Sequence, residues 1–169
     1  RCIGQYGISA DYNIFMGDCA ARQWTGGDAN TVIGKHAGNF VKCGSYNVYF
    51  GSCSGIGTNT PACNIASHNT FIGNRTGCCN ITGDKNVFLG SQAGNTNTSG
   101  CCNIAIGYDV ELPSANDNLQ LAIGNGTNRW ITGNANFNVG IGTNFPDAAV
   151  GSGNTAKLSV GILSAYQLY

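Results

Sequence analysis

Seven glycines share one frame along this chain: Gly17, Gly34, Gly51, Gly73, Gly90, Gly107 and Gly124. Successive members stand 17, 17, 22, 17, 17 and 17 residues apart, and an eighth, Gly142, follows after 18. The residue before each of the seven is large and apolar: Met16, Ile33, Phe50, Ile72, Leu89, Ile106 or Ile123. Four positions before the glycine stands Asn13, Asn30, Asn47, Asn69, Asn86 or Asn103, then Gln120, then Asn138 in the eighth copy. A unit this short cannot bury a core by itself and must stack on copies of itself. The frame therefore predicts an all-β fold, a parallel β-solenoid of ~17-residue coils. About eight coils over residues 1–144 would be followed by a terminator and an extended strand over 145–169. At a rise of ~4.8 Å per coil, eight coils make a rod roughly 40 Å long.

One copy shows the logic. In Asn86-Val87-Phe88-Leu89-Gly90-Ser91-Gln92-Ala93-Gly94 a three-residue strand ends at a first glycine corner, and Gly94 makes a second. Gly38, Gly55 and Gly77 match that second corner, each after a small residue (Ala37, Ser54 or Thr76). The remainder is turn-rich and is expected to hold one shorter extended piece. The Asn column has two readings, an amide ladder from coil to coil or local bonding of each Asn to its own turn. The position two before the glycine holds Phe15, Val32, Tyr49, Phe71 and Phe88, then shrinks to Ala105, Ala122 and Gly140. With apolar neighbours on both sides, such a strand is normally covered on both faces. One face looks into the coil, and the other is expected to meet another copy of the chain.

Composition limits function. Gly and Asn, 26 and 22 residues, both tolerate the positive φ of tight corners. Charged residues are only 9% and the net charge is zero, so no long-range field draws nucleic acid or an anionic membrane. No apolar run reaches the ~18 residues needed for a membrane helix. Arg1-Cys2-Ile3-Gly4 reads as the end of a repeat, so the numbering is expected to start after processing or downstream of the true start.

The copies at Asn30–Gly38 and Asn86–Gly94, with Asn136-Phe137-Asn138-Val139-Gly140-Ile141-Gly142-Thr143-Asn144-Phe145-Pro146 behind them, resemble the repeats and terminator of tail-fibre-domain proteins. Lys157-Leu158-Ser159-Val160-Gly161 is similar to the strand that follows in that family, and the repeats look related to the heads of trimeric autotransporter adhesins. The resemblance implies a homotrimer that builds fibres of phages or bacterial surfaces without catalysis. The chain departs from it in its nine cysteines, and the family's self-cleaving chaperone, expected to be removed or never present, and its coiled-coil stalk are not read in residues 1–169.

Nine cysteines point to an oxidising, extracellular setting. Cys2, Cys43, Cys63, Cys78, Cys79, Cys101 and Cys102 are the disulfide candidates, with Cys63 and the Cys78–Cys79 pair about one coil apart and Cys2 a first choice for an interchain bond. No ligand spacing for a metal, no catalytic group and no cofactor motif is present. His36 and His68 lack partners, and His36 is expected to be exposed. The seven Asp are scattered, with none in a repeated column, and Glu111 is the sole glutamate. Sequons begin at Asn74, Asn80, Asn97 and Asn125.

Leu158, Val160, Ile162, Tyr166 and Leu168 alternate with small or polar residues and form a candidate assembly strand. It packs along its own oligomer or augments a neighbour end to end, with the truncated repeat at Gly4 as receptor. The leading expectation is a structural fibre subunit. The alternative is a glycan-binding adhesin or fibre tip, in which Trp24, Trp130, Tyr46 and Tyr108 stack on sugars, although these four are rather expected to fill loops. Thr58, Thr60, Thr96 and Thr98 raise ice binding weakly, and a polysaccharide-cleaving β-helix lacks its acid cluster.

Overall fold

The computed structural model describes residues 11–59 and 64–144, together with the backbone of 158–160. One sheet runs through it in chain order. Its strands are β1 Ile14–Met16, β2 Thr31–Ile33, β3 Val48–Phe50, β4 Thr70–Ile72, β5 Val87–Leu89, β6 Ile104–Ile106, β7 Leu121–Asn125, β8 Asn128–Gly133, β9 Val139–Ile141 and β10 Leu158–Val160. β1 to β7 pair in parallel, each with the next, as six turns of a β-solenoid. The register places Ile33, Phe50, Ile72 and Leu89 one above another. There is no helix among the described residues, and hence none long and apolar enough to cross a membrane.

The expected second extended piece is not a strand. Among the described residues only an isolated bridge, Gly26 to Cys43, forms outside the named strands. Turns and bends carry the rest of each coil, held by main-chain bonds between rungs such as Ala21 N–H to Ala37 O (2.9 Å) and Gly55 N–H to Thr76 O (2.9 Å).

Nor does the eighth copy stack directly on the seventh. β7 turns back through Gly126 and Thr127 into β8, which pairs antiparallel with β7 and with β9. Asn125-Gly126 is a strong hairpin signal, because Gly at positive φ suits the turn that matches strand twist. Gly126 has φ +57°.

The interior is built from a size exchange between two columns. Val32, Tyr49, Phe71, Phe88, Ala105 and Ala122 point inward and are buried. Tyr49 and Phe71 stack with ring centroids 5.2 Å apart, and Phe71 and Phe88 at 4.9 Å with planes only 4° apart. Such pairs add ~0.5–1.5 kcal/mol to the burial itself. Opposite the aromatic rungs stand the buried small residues Ser54, Thr76 and Ala93. Opposite Ala105 the same position is Val110, also fully buried.

The second glycine corner follows the same rule. A Cβ on Gly77 would lie 2.6 Å from the Phe71 ring, and one on Gly94 2.7 Å from the Phe88 ring. Where the strand residue shrinks to Ala105, the corner is Glu111 instead of glycine. At the Phe71 and Phe88 rungs the ring leaves no room for a corner side chain at interior density, while Phe15 stands with Ala21 and Val32 with Gly38, so the exchange is confined to part of the rod.

Among the described residues Tyr49 is the one titratable group deep in this core, 1% exposed. Burial raises its phenol well above the ordinary value, and a side-chain hydrogen bond from Asn69 opposes this in part. The folded state therefore favours the neutral phenol. Its contribution is complete below the ordinary Tyr value of about 10 and is lost as pH rises toward the raised one. Wild-type stability should fall above roughly pH 10 by up to ~1.4 kcal/mol per pH unit for this proton. Tyr49→Phe should remove that slope, as read by urea unfolding between pH 8 and 11.

Candidate functional site: two hydrogen-bond ladders and an apolar face

The Asn column is a ladder from rung to rung, and the own-turn reading is corrected: only Asn30 Nδ2 also bonds its own turn, at Asp28 O (3.1 Å). Asn69 Oδ1 accepts the Asn86 main-chain N–H at 2.9 Å, and Asn69 Nδ2 donates to Gly83 O at 2.9 Å. Both partners lie at the next rung, so the carboxamide spans rungs and ties down a turn at once. The same pair of bonds is made by Asn13, Asn30, Asn47, Asn86 and Asn103, at 2.8–3.0 Å throughout. Within the column, direct amide-to-amide bonds run from Asn30 to Asn13 (2.9 Å) and from Asn47 to Asn30 (3.1 Å); beside it Asn97 donates to Asn80 (2.9 Å) and Asn103 to Asn97 (3.5 Å). From Asn30 to Asn103 the column is fully buried, so each bond satisfies a main-chain group that water does not reach.

A second ladder runs the opposite way two residues earlier. Asp11 N–H donates to Asp28 Oδ1 (2.9 Å), Asp28 to Ser45 Oγ (3.0 Å) and Ser45 to Ser67 Oγ (3.1 Å). Ser67 N–H continues to Asp84 Oδ1 (2.7 Å), Asp84 to Cys101 Sγ (3.3 Å) and Cys101 to Asn118 Oδ1 (2.7 Å). The reading that no Asp forms a column is thereby corrected: Asp11, Asp28 and Asp84 share one. Ser, Cys and Asn interleave with them because any short side chain with an acceptor serves. That mixture hid the column from residue identity.

Between the two ladders every rung holds a left-handed residue: Tyr12, Ala29, Tyr46, His68, Lys85, Cys102 and Leu119, with φ of 56–61°. Isolated L-residues rarely adopt this conformation, at a cost of ~1–2 kcal/mol each. Here the flanking bonds hold it. Tyr46 and His68 stack on the surface with centroids 4.8 Å apart.

The glycine frame has a steric cause. Gly17, Gly34, Gly51, Gly73, Gly90 and Gly107 have φ of 122–139°. A Cβ on any of them would lie 1.8–2.5 Å from the carbonyl oxygen of the next frame glycine. Gly124 faces Asn128 O at 2.2 Å instead, and Gly142 has nothing within 4 Å. The corner role is therefore sterically enforced at the first seven and not at Gly142.

The outward side of β1–β7 carries two apolar columns. Ile14, Val48, Val87, Ile104 and Leu121 stand in one; Met16, Ile33, Phe50, Ile72, Leu89, Ile106 and Ile123 in the other. Thr31 and Thr70 complete the first, and no charged residue interrupts either. Met16 is 60% exposed, Phe50 52% and Leu89 42%. By rung spacing this stripe is about 30 Å long.

The remaining candidates separate. Cys43, Cys78, Cys79, Cys101 and Cys102 are free thiols, as are Cys19 and Cys53. Cys19 and Cys53 share a phase but stand two rungs apart, about 10 Å by rung spacing, beyond the ~7 Å between Cα atoms that a disulfide allows. Cys78 and Cys79 touch at 3.7 Å without bonding, and burial pushes the Cys78 thiol up to about 11. Cys2 and Cys63 lie outside the described residues. No group of three or more potential metal ligands forms among the described residues.

His36 is half-buried with Nδ1 3.1 Å from Asn39 Nδ2, not freely exposed. Trp24 is fully buried against Phe15, as the loop-filling reading expects, while Trp130, Tyr46 and Tyr108 are exposed. Sequons Asn80 and Asn97 are buried and hydrogen-bonded, so only Asn74 and Asn125 face solvent. Leu158 and Val160 bound β10, which pairs in parallel with β9. Ile162, Tyr166 and Leu168 lie outside the described residues. No family model, curated protein or solved structure matches this chain.

Proposed function

We propose that this chain is a structural subunit of an extracellular fibre or filament, of a virion or cell-surface appendage, that assembles as a homotrimer through its apolar sheet face. The observation that carries the reading is the uncharged double column on β1–β7, apolar at every position but Thr31 and Thr70. Contiguous apolar surface of this kind marks an interaction site on a soluble protein. The occupant is a second copy, because the columns repeat once per rung, and another copy presents apolar side chains at that same spacing. Charge agrees: the face offers nothing for an oppositely charged partner. The rungs themselves, held by two ladders and a glycine frame, make a stiff shaft suited to spanning distance.

Growth end to end, by strand addition from the 157–169 segment to a neighbour's first rung, is the filament part of the proposal. Negative-stain microscopy of the purified chain tests it. Uniform filaments are expected for the full chain and short particles after deletion of 157–169; full-length filaments after the deletion would refute strand-mediated growth. Phe50→Lys with Leu89→Lys is expected to abolish the lateral assembly itself, read as a drop to the single-chain mass by size exclusion with light scattering.

A further inference from the structure

Three departures from the repeat meet at one place. Gln120 stands where every earlier copy has Asn. Its longer side chain leaves the ladder: Oε1 accepts Ser114 N–H (2.7 Å), and Nε2 donates to Ser114 O and Asp117 O (2.8 Å each). The 113–118 loop is thereby fastened to the solenoid. Arg129, on the β7–β8 hairpin that breaks the stacking, donates from Nε to Glu111 O (2.8 Å) and from Nη2 to Leu112 O (3.3 Å). Asn144 Nδ2 donates to Thr127 O at 2.9 Å and ties the hairpin to the chain beyond β9. Between these fastened walls lies a cleft of about 670 Å³.

We infer that this cleft is a binding site for a neutral saccharide, gripped by the Asp117 carboxylate and the Asn118 carboxamide. Its volume falls within the range of about 300–1,000 Å³ usual for small-ligand sites. The lining decides the chemical class. Asp117, Asn118, Asn134 and Asn136 present carboxylate and carboxamide groups, with Pro113 and Ala135 as small apolar patches. Asp117 is exposed, and its carboxylate has no hydrogen-bond partner among the described residues. An anionic ligand would meet that charge, while the Arg129 guanidinium is engaged with main-chain carbonyls. Sugar hydroxyls both donate and accept: the Asp117 carboxylate accepts from them, and Asn118 Nδ2, whose Oδ1 is held by Cys101 N–H, and the Asn136 carboxamide donate to them, while sugar C–H faces suit Pro113 and Ala135. The walls are held before any ligand arrives, so little ordering cost falls on binding. The exposed aromatics Trp130, Tyr46 and Tyr108 do not line this cleft, so it is a different site from the stacking surface the sequence offered. The inference stands apart from the assembly reading: a single copy contains the whole cleft.

An array of immobilised neutral and sialylated oligosaccharides, probed with the full chain, tests it. At least one neutral glycan should bind, with signal at least tenfold lower for Asp117→Ala, which keeps the carbonyl that Gln120 uses. Ala135→Trp, which fills the cleft from an exposed position, should lower it equally. Should Asp117→Ala fold poorly by circular dichroism, Ala135→Trp decides alone. Binding of sialylated glycans only, binding unchanged in a folded variant, or no binding to any neutral glycan overturns the assignment. Whether the chains assemble is read separately, from particle mass.

Discussion

Asn69→Ala is expected to destabilise the protein by about 4 kcal/mol, from the cost of about 1–3 kcal/mol for each buried polar group left without a partner. The substitution removes the acceptor of the Asn86 N–H and the donor to Gly83 O, both at a column that is 0% exposed. It also strips the Tyr49 phenol of its side-chain partner. Water does not replace these bonds, because the aromatic stack lies on one side and the turn closes the other. Urea unfolding and amide exchange at Asn86 are the measurements, and the loss of protection should centre on the rungs of β4 and β5. Asn74→Ala is the control. That side chain is exposed and bonds Ser52 O at 3.2 Å, so its removal should stay within ~0.5 kcal/mol.

Gly73→Ala is expected to cost at least ~3 kcal/mol, a strained φ alone accounting for ~1–3 kcal/mol and the steric contact for the remainder. The new Cβ would sit 2.5 Å from Gly90 O and 2.6 Å from Thr76 Oγ1, at φ +139°. Main chain lies on the far side of that contact, so relief requires parting the rungs that the parallel ladder holds together. Gly126→Ala provides the contrast. Its φ of +57° is strained for Ala too, but nothing lies within 4 Å of the added carbon, and ~1 kcal/mol is expected. Thermal unfolding of both variants beside the wild type separates steric from conformational cost.

The sequence carried the solenoid plainly, because its two strictest columns are those that stacking leaves no freedom to change. Glycine is the only residue that lets Gly73 and Gly90 approach, and Asn is the short amide that makes both the upward and the turn bond. Both therefore repeat by identity. The Asp11 column needs only an acceptor, so Asp, Ser, Cys and Asn share it and identity does not repeat. Which strand face turns inward was also hidden, since alternation says nothing when both faces are apolar. A partial cue lay in Phe71 with Gly77 and Ala105 with Glu111, six residues apart, but Phe15 with Ala21 and Val32 with Gly38 do not follow it. The hairpin was signalled locally by Asn125-Gly126 and masked by the return of the frame at Asn138. The cleft had no motif of its own. It arises where Gln120, Arg129 and Asn144 part from the repeat, and only the fold brings them together.

Sedimentation equilibrium of the chain lacking residues 157–169 tests the central claim most directly, because it removes end-to-end growth and leaves the apolar face. A mass of three times that truncated chain, falling to a single copy in Phe50→Lys with Leu89→Lys, is the predicted result. A single-copy mass at tens of micromolar, with Phe50 and Leu89 open to water, would contradict it.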